Sequence, residues 1–206
     1  RSGTASLPIT VKSYAGEKVI ISHSGGISLN RDYMVFDGLI FDHQNVDSDA
    51  FRWSGDNITI RNSELRNGHH DGIDMAGSAD NAVIENNIIH DYKILPRVDA
   101  HCIVTNPGTK NLKILNNTIY NCTGDGLQAF ASDPVFVPNA STNILIEGNT
   151  IYSTLGSDME NALDFKEGVG ITVRNNVMHG FTANKAVAFE KYQKDVVFEN
   201  NVIYNS

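Results

Sequence analysis

A short sequence motif occurs seven times along the chain. It begins with an apolar-x-apolar strand, continues with a polar pair that is usually Asn-Asn, and ends with one more apolar residue. Typical copies read VIENNII at 83–89 and TVRNNVM at 172–178. Self-similarity with a period of about 20 to 50 residues is typical of a solenoid, whose stacked coils place equivalent residues in columns. The leading polar position of the motif falls on Gly38, Asn62, Asn86, Asn116, Gly148, Asn175 and Asn200.

A second motif lies about half a period from the first: a polar residue, a small residue and then a strand with alternating apolar positions. It reads DAFRW at 49–53, DGIDM at 71–75 and NALDFK at 161–166. Alternation with a period of two, together with β-branched residues, favours strands, and no window shows apolar residues at helical spacing. Parallel strands joined by short turns are typical of a β-helix, and parallel crossovers are right-handed by default.

These patterns predict an all-β fold: a single-stranded, right-handed parallel β-helix of about seven coils with an Asn-rich turn column. Asn suits such a turn because its side-chain amide bonds backbone groups, tolerates left-handed conformations and bonds its copies in stacked sheets. The pattern covers 7–206, so we predict one domain over 1–206. Partial coils at both ends predict that this domain lacks its terminal caps.

The composition narrows the possible partners. A net charge of −8 and a pI near 5.2 argue against nucleic acid, which requires a basic surface. No apolar run is long enough to span a bilayer, so we expect no membrane partner, and we expect a monomer. The two cysteines, Cys102 and Cys122, are expected to be free buried thiols.

The strand of the second motif carries the unusual side chains. In DGIDM, Ile73 and Met75 alternate inward, so Asp74 faces outward. The same register turns further polar residues outward and lines the preceding turn with carboxylates, although the copy at 99–105 is ambiguous by two places. Long loops at 91–98, 131–142 and 153–160 flank this strand, and long loops on a rigid scaffold often carry binding residues. The two signals predict a groove with a floor of Asp74, Asp99, His101, Asp125, Gln128, Asp164 and Lys166.

Each of these residues also has a structural interpretation. An Asp in a D-G or D-A turn commonly satisfies backbone donors. His101 is equally consistent with a partly buried histidine bonded to Asp99. Lys166 is equally consistent with a surface ion pair to Glu190 on the next coil. The aromatic residues near the groove, Tyr92 and Phe130, either pack the loops or stack on sugars.

The coil pattern, the Asn turn and the opening GTASLPITVKSYAGEKVII resemble the secreted right-handed parallel β-helix proteins of the pectate-lyase-like superfamily. The resemblance implies an acidic polysaccharide along the groove and a secreted or periplasmic location. In lyase members, Asp and Glu hold calcium against the substrate carboxylate, and Lys or Arg removes the proton at C5. HDGIDM at 70–75 is similar to the acidic metal-binding turn of the family-nine pectate lyases, matching at Asp71 and Asp74.

NALDFKEG at 161–168 loosely resembles the lysine-bearing strand of the same lyases, matching at Lys166. In that family the lysine lies one coil beyond the metal turn, whereas Lys166 lies three coils beyond Asp74. Both strings therefore cannot serve one site, and the carboxylates nearer the lysine are favoured. β-Elimination from a uronate needs a cation on the substrate carboxylate and a base whose pKa is lowered.

The sequence thus predicts a lyase that cleaves a uronate-containing polysaccharide by β-elimination. Lys166 is the expected base, assisted by Arg97 and His101. The expected Ca²⁺ ligands are Asp99, Asp125, Glu160 and Asp164. The expected substrate-binding residues are Asp74, Gln128, Tyr92 and Phe130. Two alternatives stay open: a glycoside hydrolase that uses Asp99, Asp125 and Asp164, and a non-catalytic carbohydrate-binding or adhesion solenoid.

Overall fold

The computed structural model describes residues 1–75, 79–93, 99–129, 140–154 and 158–206. These residues form 21 strands, and every pair of neighbouring strands is parallel. In the described ranges no helix is long and apolar enough to cross a membrane. In chain order the first eleven strands are β1 Ile9–Lys12, β2 Val19–Ser22, β3 Ile27–Leu29, β4 Met34–Asp37, β5 Leu39–Asp42, β6 Phe51–Trp53, β7 Thr59–Arg61, β8 Glu64–Gly68, β9 Ile73–Met75, β10 Val83–Glu85 and β11 Ile88–Tyr92.

The remaining strands complete the later coils. They are β12 Ile103–Thr105, β13 Lys113–Leu115, β14 Thr118–Cys122, β15 Leu127–Ala129, β16 Thr142–Glu147, β17 Thr150–Tyr152, β18 Leu163–Arg174, β19 Val177–His179, β20 Val187–Glu199 and β21 Val202–Tyr204. Each strand pairs with its copies in the neighbouring coils, which confirms the predicted all-β, right-handed parallel β-helix.

The strands form two sheets. One has eight strands in the order β2-β5-β8-β11-β14-β17-β19-β21. The other has thirteen strands, because the long strands β18 and β20 pass round a corner and join two faces into one sheet. The groove strand predicted from the sequence belongs to the face β3-β6-β9-β12-β15-β18.

The predicted Asn column is a left-handed bend. Gly38, Asn62, Asn86, Asn116 and Gly148 have φ of 70°, 51°, 56°, 54° and 70°. Asn175 and Asn200 continue the column. Asn and Gly are the residues that adopt this conformation at least cost, which explains why the motif alternates between them. Two further left-handed columns, absent from the sequence prediction, include Asn81, Asn111 and Asn143 at one corner and Asn67, Asp91 and Asn121 at another.

The second Asn of the pair forms a buried hydrogen-bonded column that we call the asparagine ladder. In Asn117, Oδ1 accepts from the backbone N–H of Asn87 at 2.9 Å, and Nδ2 donates to the Ile84 carbonyl at 2.9 Å. Asn149 repeats the arrangement toward Asn117. Each rung thereby satisfies backbone groups that the bend removes from the sheets. The ladder consists of Asn87, Asn117, Asn149, Asn176 and Asn201.

Apolar side chains from all three faces fill the interior. The predicted inward residues Ile73, Met75, Leu127, Leu163 and Phe165 are at most 1% exposed. Phe189, also predicted to lie inside, is 45% exposed, because β20 is the last strand of its sheet and no coil covers it.

The outer surface of the eight-stranded sheet carries a column of parallel rings that we call the aromatic stack. Successive ring centroids lie 4.6 to 5.0 Å apart, with interplanar angles of 4° to 15°. Offset contacts of this kind add stability beyond the area they bury. The members are His90, Tyr120, Tyr152, His179 and Tyr204.

Candidate functional site

One outward column on the groove face changes residue at every coil, and we call it the variable column. Strand register places each member opposite the next, so all of them face the same side of the sheet. A solenoid surface without a local task has no need for such variety. In order, the members are Ser28, Arg52, Asp74, Val104, Gln128, Asp164 and Ala188.

The turn that precedes these strands forms a second chain of contacts, which we call the turn column. Asp71 Oδ1 accepts from the His101 backbone N–H at 2.7 Å. His101 Nδ1 accepts from the Asp125 backbone N–H at 2.8 Å, and Asp125 Oδ1 accepts from that of Asn161 at 3.0 Å. His101 therefore takes the position that the sequence prediction gave to Asp99. The placement of Asp99 in this column is wrong, because it lies two residues earlier and is exposed.

Arg52 lies on β6, next to Asp74 of β9 on the groove face. Its Nε is 3.1 Å from Asp74 Oδ2 and 3.8 Å from Asp49 Oδ2, while 58% of its side chain is exposed. Asn106 Nδ2 donates to Asp74 Oδ1 at 2.8 Å and fixes that carboxylate from the other side. The guanidinium is thus anchored at Nε and presents its end to solvent.

A cavity of about 240 Å³ adjoins Arg52 on the side of the later coils. A second depression of about 390 Å³ lies on the other side and is lined by Gly26, Ser28, Ser48, Asp49 and His70 together with Arg52. Arg52 belongs to both linings and therefore separates them. The walls of the first cavity are Arg52, Asp71, Asp74, His101, Val104, Asn106 and Gln128.

Asp71 is the most perturbed carboxyl of the cavity. Burial raises its pKa to about 6; the nearby charges of Asp49 and Asp74 add to the rise, and His101 opposes it. Burial and the Asp49 charge also raise the pKa of Asp74, but the hydrogen bonds from Arg52 and Asn106 favour its ionised form. Two neighbouring carboxyls in different environments are a common arrangement for acid–base chemistry.

Opposing effects act on the His101 ring. Burial lowers its pKa, whereas the carboxylates of Asp125, Asp71 and Asp99 raise it, and the net direction is upward. Two groups of Asp125 approach the same nitrogen, Nδ1: the backbone N–H at 2.8 Å and Oδ2 at 3.3 Å. We assign Nδ1 as an acceptor because the amide contact is the shorter one and a backbone amide keeps its hydrogen. The ring proton then resides on Nε2.

Lys166 is a member of an ion-pair network. Its Nζ lies 3.1 Å from Asp164 Oδ2 and 3.5 Å from Glu190 Oε2, as the surface-pair interpretation expects. Burial lowers the pKa of Lys166, but the hydrogen bond to Asp164 and the charges of Asp164, Glu190 and Asp125 raise it overall. The expectation of a lysine with a lowered pKa is therefore wrong, and these surroundings disfavour Lys166 as a base.

The four expected calcium ligands do not fit a calcium ion. Asp125 is fully buried, and its oxygens already accept from Asn161 and from Gln128 Nε2. Asp99 is exposed and lies outside the turn column. Asp164 Oδ2 is paired with Lys166, and Glu160 lines a depression with Lys185 and Glu190 that none of the other three expected ligands lines. Within the described ranges, no three His, Cys, Asp or Glu side chains form a group that could hold a metal ion.

Two further expectations are corrected. Tyr92 is fully buried, because its ring lies against Gly68 and Gly72, where a Cβ atom would meet it at 2.1 Å and 2.9 Å. Tyr92 therefore has no face for a sugar and is not a substrate-binding residue. Cys102 and Cys122 form a disulfide rather than two free thiols.

The structure brings together Asp74, His101 and Gln128 at the cavity, and it separates Lys166 from them. Arg97 and Phe130 lie outside the described residues. Sequence reasoning placed Arg52 and Asp71 on the groove face but assigned neither to the site. The signal for Arg52 was present, because aligning DAFRW with DGIDM puts it in the column of Asp74.

The sequence also matches a known family. The profile described as "Right handed beta helix region" matches residues 18–157, more than half of the chain. The protein therefore belongs to the right-handed β-helix family. A search among curated proteins gives no match.

Three solved structures are similar over most of the chain. Pectate lyase Pel9A has a TM-score of 0.68 and 14% identity over 100% of this chain. PfbA, a surface adhesin of Streptococcus pneumoniae, has a TM-score of 0.59 and 13% identity over 96%. The A-module of mannuronan C-5 epimerase AlgE6 from Azotobacter vinelandii has a TM-score of 0.57 and 15% identity over 85%.

These similarities show a parallel β-helix fold and, at such identities, the fold alone. The chain spans 63% of the pectate lyase, 59% of the adhesin and 48% of the epimerase module. One fold supports several activities, so the activity has to be argued from the site.

Proposed function

We propose that the protein cleaves a uronate-containing polysaccharide by β-elimination in the groove, with Arg52 on the substrate carboxylate and Asp71 as the proton acceptor. The observation that carries this proposal is the exposed guanidinium of Arg52, anchored by Asp74 beside a carboxyl whose pKa is about 6. We also propose secretion or periplasmic location, which the disulfide supports because disulfides persist in oxidising compartments.

Elimination first requires that the charge of the substrate carboxylate be neutralised, and Arg52 supplies the positive charge. A planar guanidinium binds a carboxylate through two hydrogen bonds and neutralises its charge, which makes the C5 proton of a uronate more acidic. Arg52 is 58% exposed and held at Nε, so its end is free to turn toward a ligand without losing Asp74. No calcium step is part of the mechanism.

Asp71 supplies the base. Burial raises its pKa to about 6, so its carboxylate is more basic than that of an ordinary aspartate and is still ionised at neutral pH. It takes the C5 proton, the C–H electron pair forms the C4–C5 double bond, and the C4–O4 bond breaks. The leaving oxygen then takes a proton, for which Nε2–H of His101 and solvent are the available donors.

Hydrolysis is the second candidate, and the pKa of Asp71 favours it specifically. A carboxyl with a pKa near 6 also suits a general acid, with Asp74, whose ionised form the Arg52 hydrogen bond favours, as the second carboxylate. This version replaces the residue set Asp99, Asp125 and Asp164, of which only Asp125 lies in the turn column.

The test is incubation with polygalacturonate, alginate and a neutral polysaccharide across pH 4 to 9. Elimination gives ultraviolet absorbance of unsaturated uronates, and its rate rises as the pH rises through about 6, because Asp71 acts as the carboxylate. Hydrolysis gives reducing ends without that absorbance, and its rate falls through the same range. Binding without either product would exclude both reactions and leave the carbohydrate-binding solenoid.

A further inference from the structure

The disulfide lies directly beneath the candidate site. Cys102 follows His101 in the chain, and Cys122 comes three residues before Asp125. Both cysteines are fully buried, and they join neighbouring coils. The bridge therefore ties together the two coils that contribute His101 and Asp125.

The bridge occupies positions that other coils fill differently. In the register of the backbone hydrogen bonds, Cys102 stands where neighbouring coils have Gly72, Gly126 and Ala162. Cys122 stands opposite Tyr92 in the adjacent sheet. The repeat thus departs from its small-residue column at the one coil where the turn column carries a histidine.

Gly124 closes the arrangement from the other side. A Cβ atom on this residue would lie 2.5 Å from His101 Nδ1 and 2.7 Å from its Cε1, which no packed side chain tolerates. Its φ is not in the left-handed region, so the backbone alone does not require glycine here. The imidazole, together with the Ala100 backbone nitrogen 3.1 Å from the same Cβ position, leaves no room for a side chain at Gly124.

Backbone contacts complete the frame around the ring. The Gly124 N–H donates to the Ala100 carbonyl at 2.9 Å, and the Cys102 N–H donates to the Asp125 carbonyl at 2.9 Å. Gly124 thus lies directly against the ring, and the bridge joins the two coils whose backbone bonds flank it. On this side Nδ1 accepts from the Asp125 amide at 2.8 Å, and Asp125 Oδ2 lies 3.3 Å from the same nitrogen.

We propose that the Cys102–Cys122 bridge and Gly124 are positioning residues of the site, which hold Nδ1 of His101 on the backbone N–H of Asp125 and so direct Nε2 as the protonated nitrogen. Neither group touches the substrate in this proposal. The inference deepens the proposed function, because His101 lines the same cavity as Asp71, but its test does not depend on that function.

The test is the hydrogen bond itself, measured in the full chain labelled with ¹⁵N. An N–H···N bond transmits a ¹⁵N–¹⁵N coupling between the Asp125 amide and His101 Nδ1, and His101→Gln assigns the signal. We expect the coupling in the wild type, and its loss in Cys102→Ala/Cys122→Ala and in Gly124→Ala. Exchange of the Asp125 amide with solvent should accelerate at least roughly tenfold in both variants.

Two controls separate positioning from general destabilisation. Met178→Ala removes a fully buried side chain from the eight-stranded sheet, and Gly25→Ala adds a methyl group where no atom lies within 4 Å. Both should keep the coupling. Gly124→Ala retains the bridge, so it tests the ring even if the double cysteine variant fails to fold.

The outcomes are decisive in each direction. A coupling that survives in Gly124→Ala, or in a folded double cysteine variant, would overturn the proposal, as would its absence from the wild type. Where turnover is measurable, kcat should fall in Gly124→Ala by a larger factor than KM changes. If the wild type shows the coupling but no turnover, and the variants lose the coupling, the positioning role is supported while the proposed function is rejected.

Discussion

The asparagine ladder and the variable column run along the same coils, yet they follow opposite rules. The ladder repeats one residue, and each rung is satisfied by an identical neighbour. In the variable column the residue changes from each coil to the next, and Asp164 Oδ1 in it is buried without a hydrogen-bond partner in the described part of the chain. Repetition thus maintains the solenoid, whereas departure from repetition marks the surface for which we propose ligand binding.

The largest expected effect falls on the groove. Asp71→Asn should lower kcat by about 10²- to 10⁴-fold, the usual contribution of a general acid or base. Oδ1 of Asn still accepts from the His101 N–H, so the turn column should persist. Turnover rates and circular dichroism of the same sample would check this. Activity within a few-fold of the wild type would remove Asp71 from the chemistry.

The same variant should be more stable at neutral pH. The folded-state pKa of Asp71, about 6, lies above the ordinary 3.8, so the wild-type carboxyl contributes its full stability below pH 3.8 and loses it as the pH rises through 6. Asn does not ionise and avoids this loss, so the free energy of unfolding should rise by about 1–2 kcal/mol at pH 7. At pH 3.5 the gain should vanish in denaturant titrations.

A substitution in the asparagine ladder should instead lower stability and leave turnover unchanged. Asn117→Ala leaves the Asn87 N–H and the Ile84 carbonyl unpaired inside the protein, which should cost about 2–4 kcal/mol of unfolding free energy. Turnover per folded molecule should stay near the wild-type value. Asn111→Ala, on the exposed column at another corner, is a matched control with a smaller loss. A large drop in kcat for Asn117→Ala would show that the asparagine ladder also supports activity and would contradict its assignment to stability alone.

Arg52→Gln tests the recognition of an anionic substrate. Losing a charge-assisted pair should lower kcat/KM on a uronate polymer by about 10- to 100-fold. A neutral polysaccharide, if it is cleaved at all, should be affected much less. Lys113→Gln, an exposed cation on another face, is the charge-matched control. Equal losses on charged and neutral substrates would assign Arg52 to the support of Asp74 alone.

Lys166→Ala should have the smallest effect on turnover. Its partner Glu190 is exposed but Asp164 is buried, so the variant should lose about 1–3 kcal/mol of unfolding free energy, and the small effect is the one on turnover. Turnover should remain within about threefold of the wild type, since the surroundings keep the lysine protonated. Abolished turnover with an unchanged melting temperature would restore Lys166 as the base and move the reaction three coils along the groove.

The fold could be predicted because most coils repeat the same Asn-containing bend. The Asn-Asn pair that marks this bend can be recognised in a single sequence. The other two left-handed columns were not predicted, because each coil contributes only a single residue to them, such as Asn81 or Asn111, rather than an Asn-Asn pair. The site was harder to predict. Asp99 and His101 compete for one register, and only the hydrogen bond from His101 to Asp71 decides between them.

Contacts between residues of different coils could not be predicted from the local sequence pattern. Tyr92 is buried because Gly68 and Gly72 leave room for its ring, and Cys102 reaches Cys122 because their coils are neighbours. Neither fact follows from local pattern, since loop lengths between the coils vary. Lys166 appeared suited to catalysis for the same reason: the carboxylates that hold its proton come from its own strand and the next coil.

The aromatic stack and the single tryptophan give the molecule two separate optical reporters. Rings held parallel at about 5 Å couple their electronic transitions, so the tyrosine columns of the middle and last coils should dominate the near-ultraviolet circular dichroism. The single tryptophan, Trp53, is buried in β6 among the first coils, and its fluorescence reports on that end. Because stability in a solenoid is built from neighbouring coils, the two signals can resolve which end of the protein melts first.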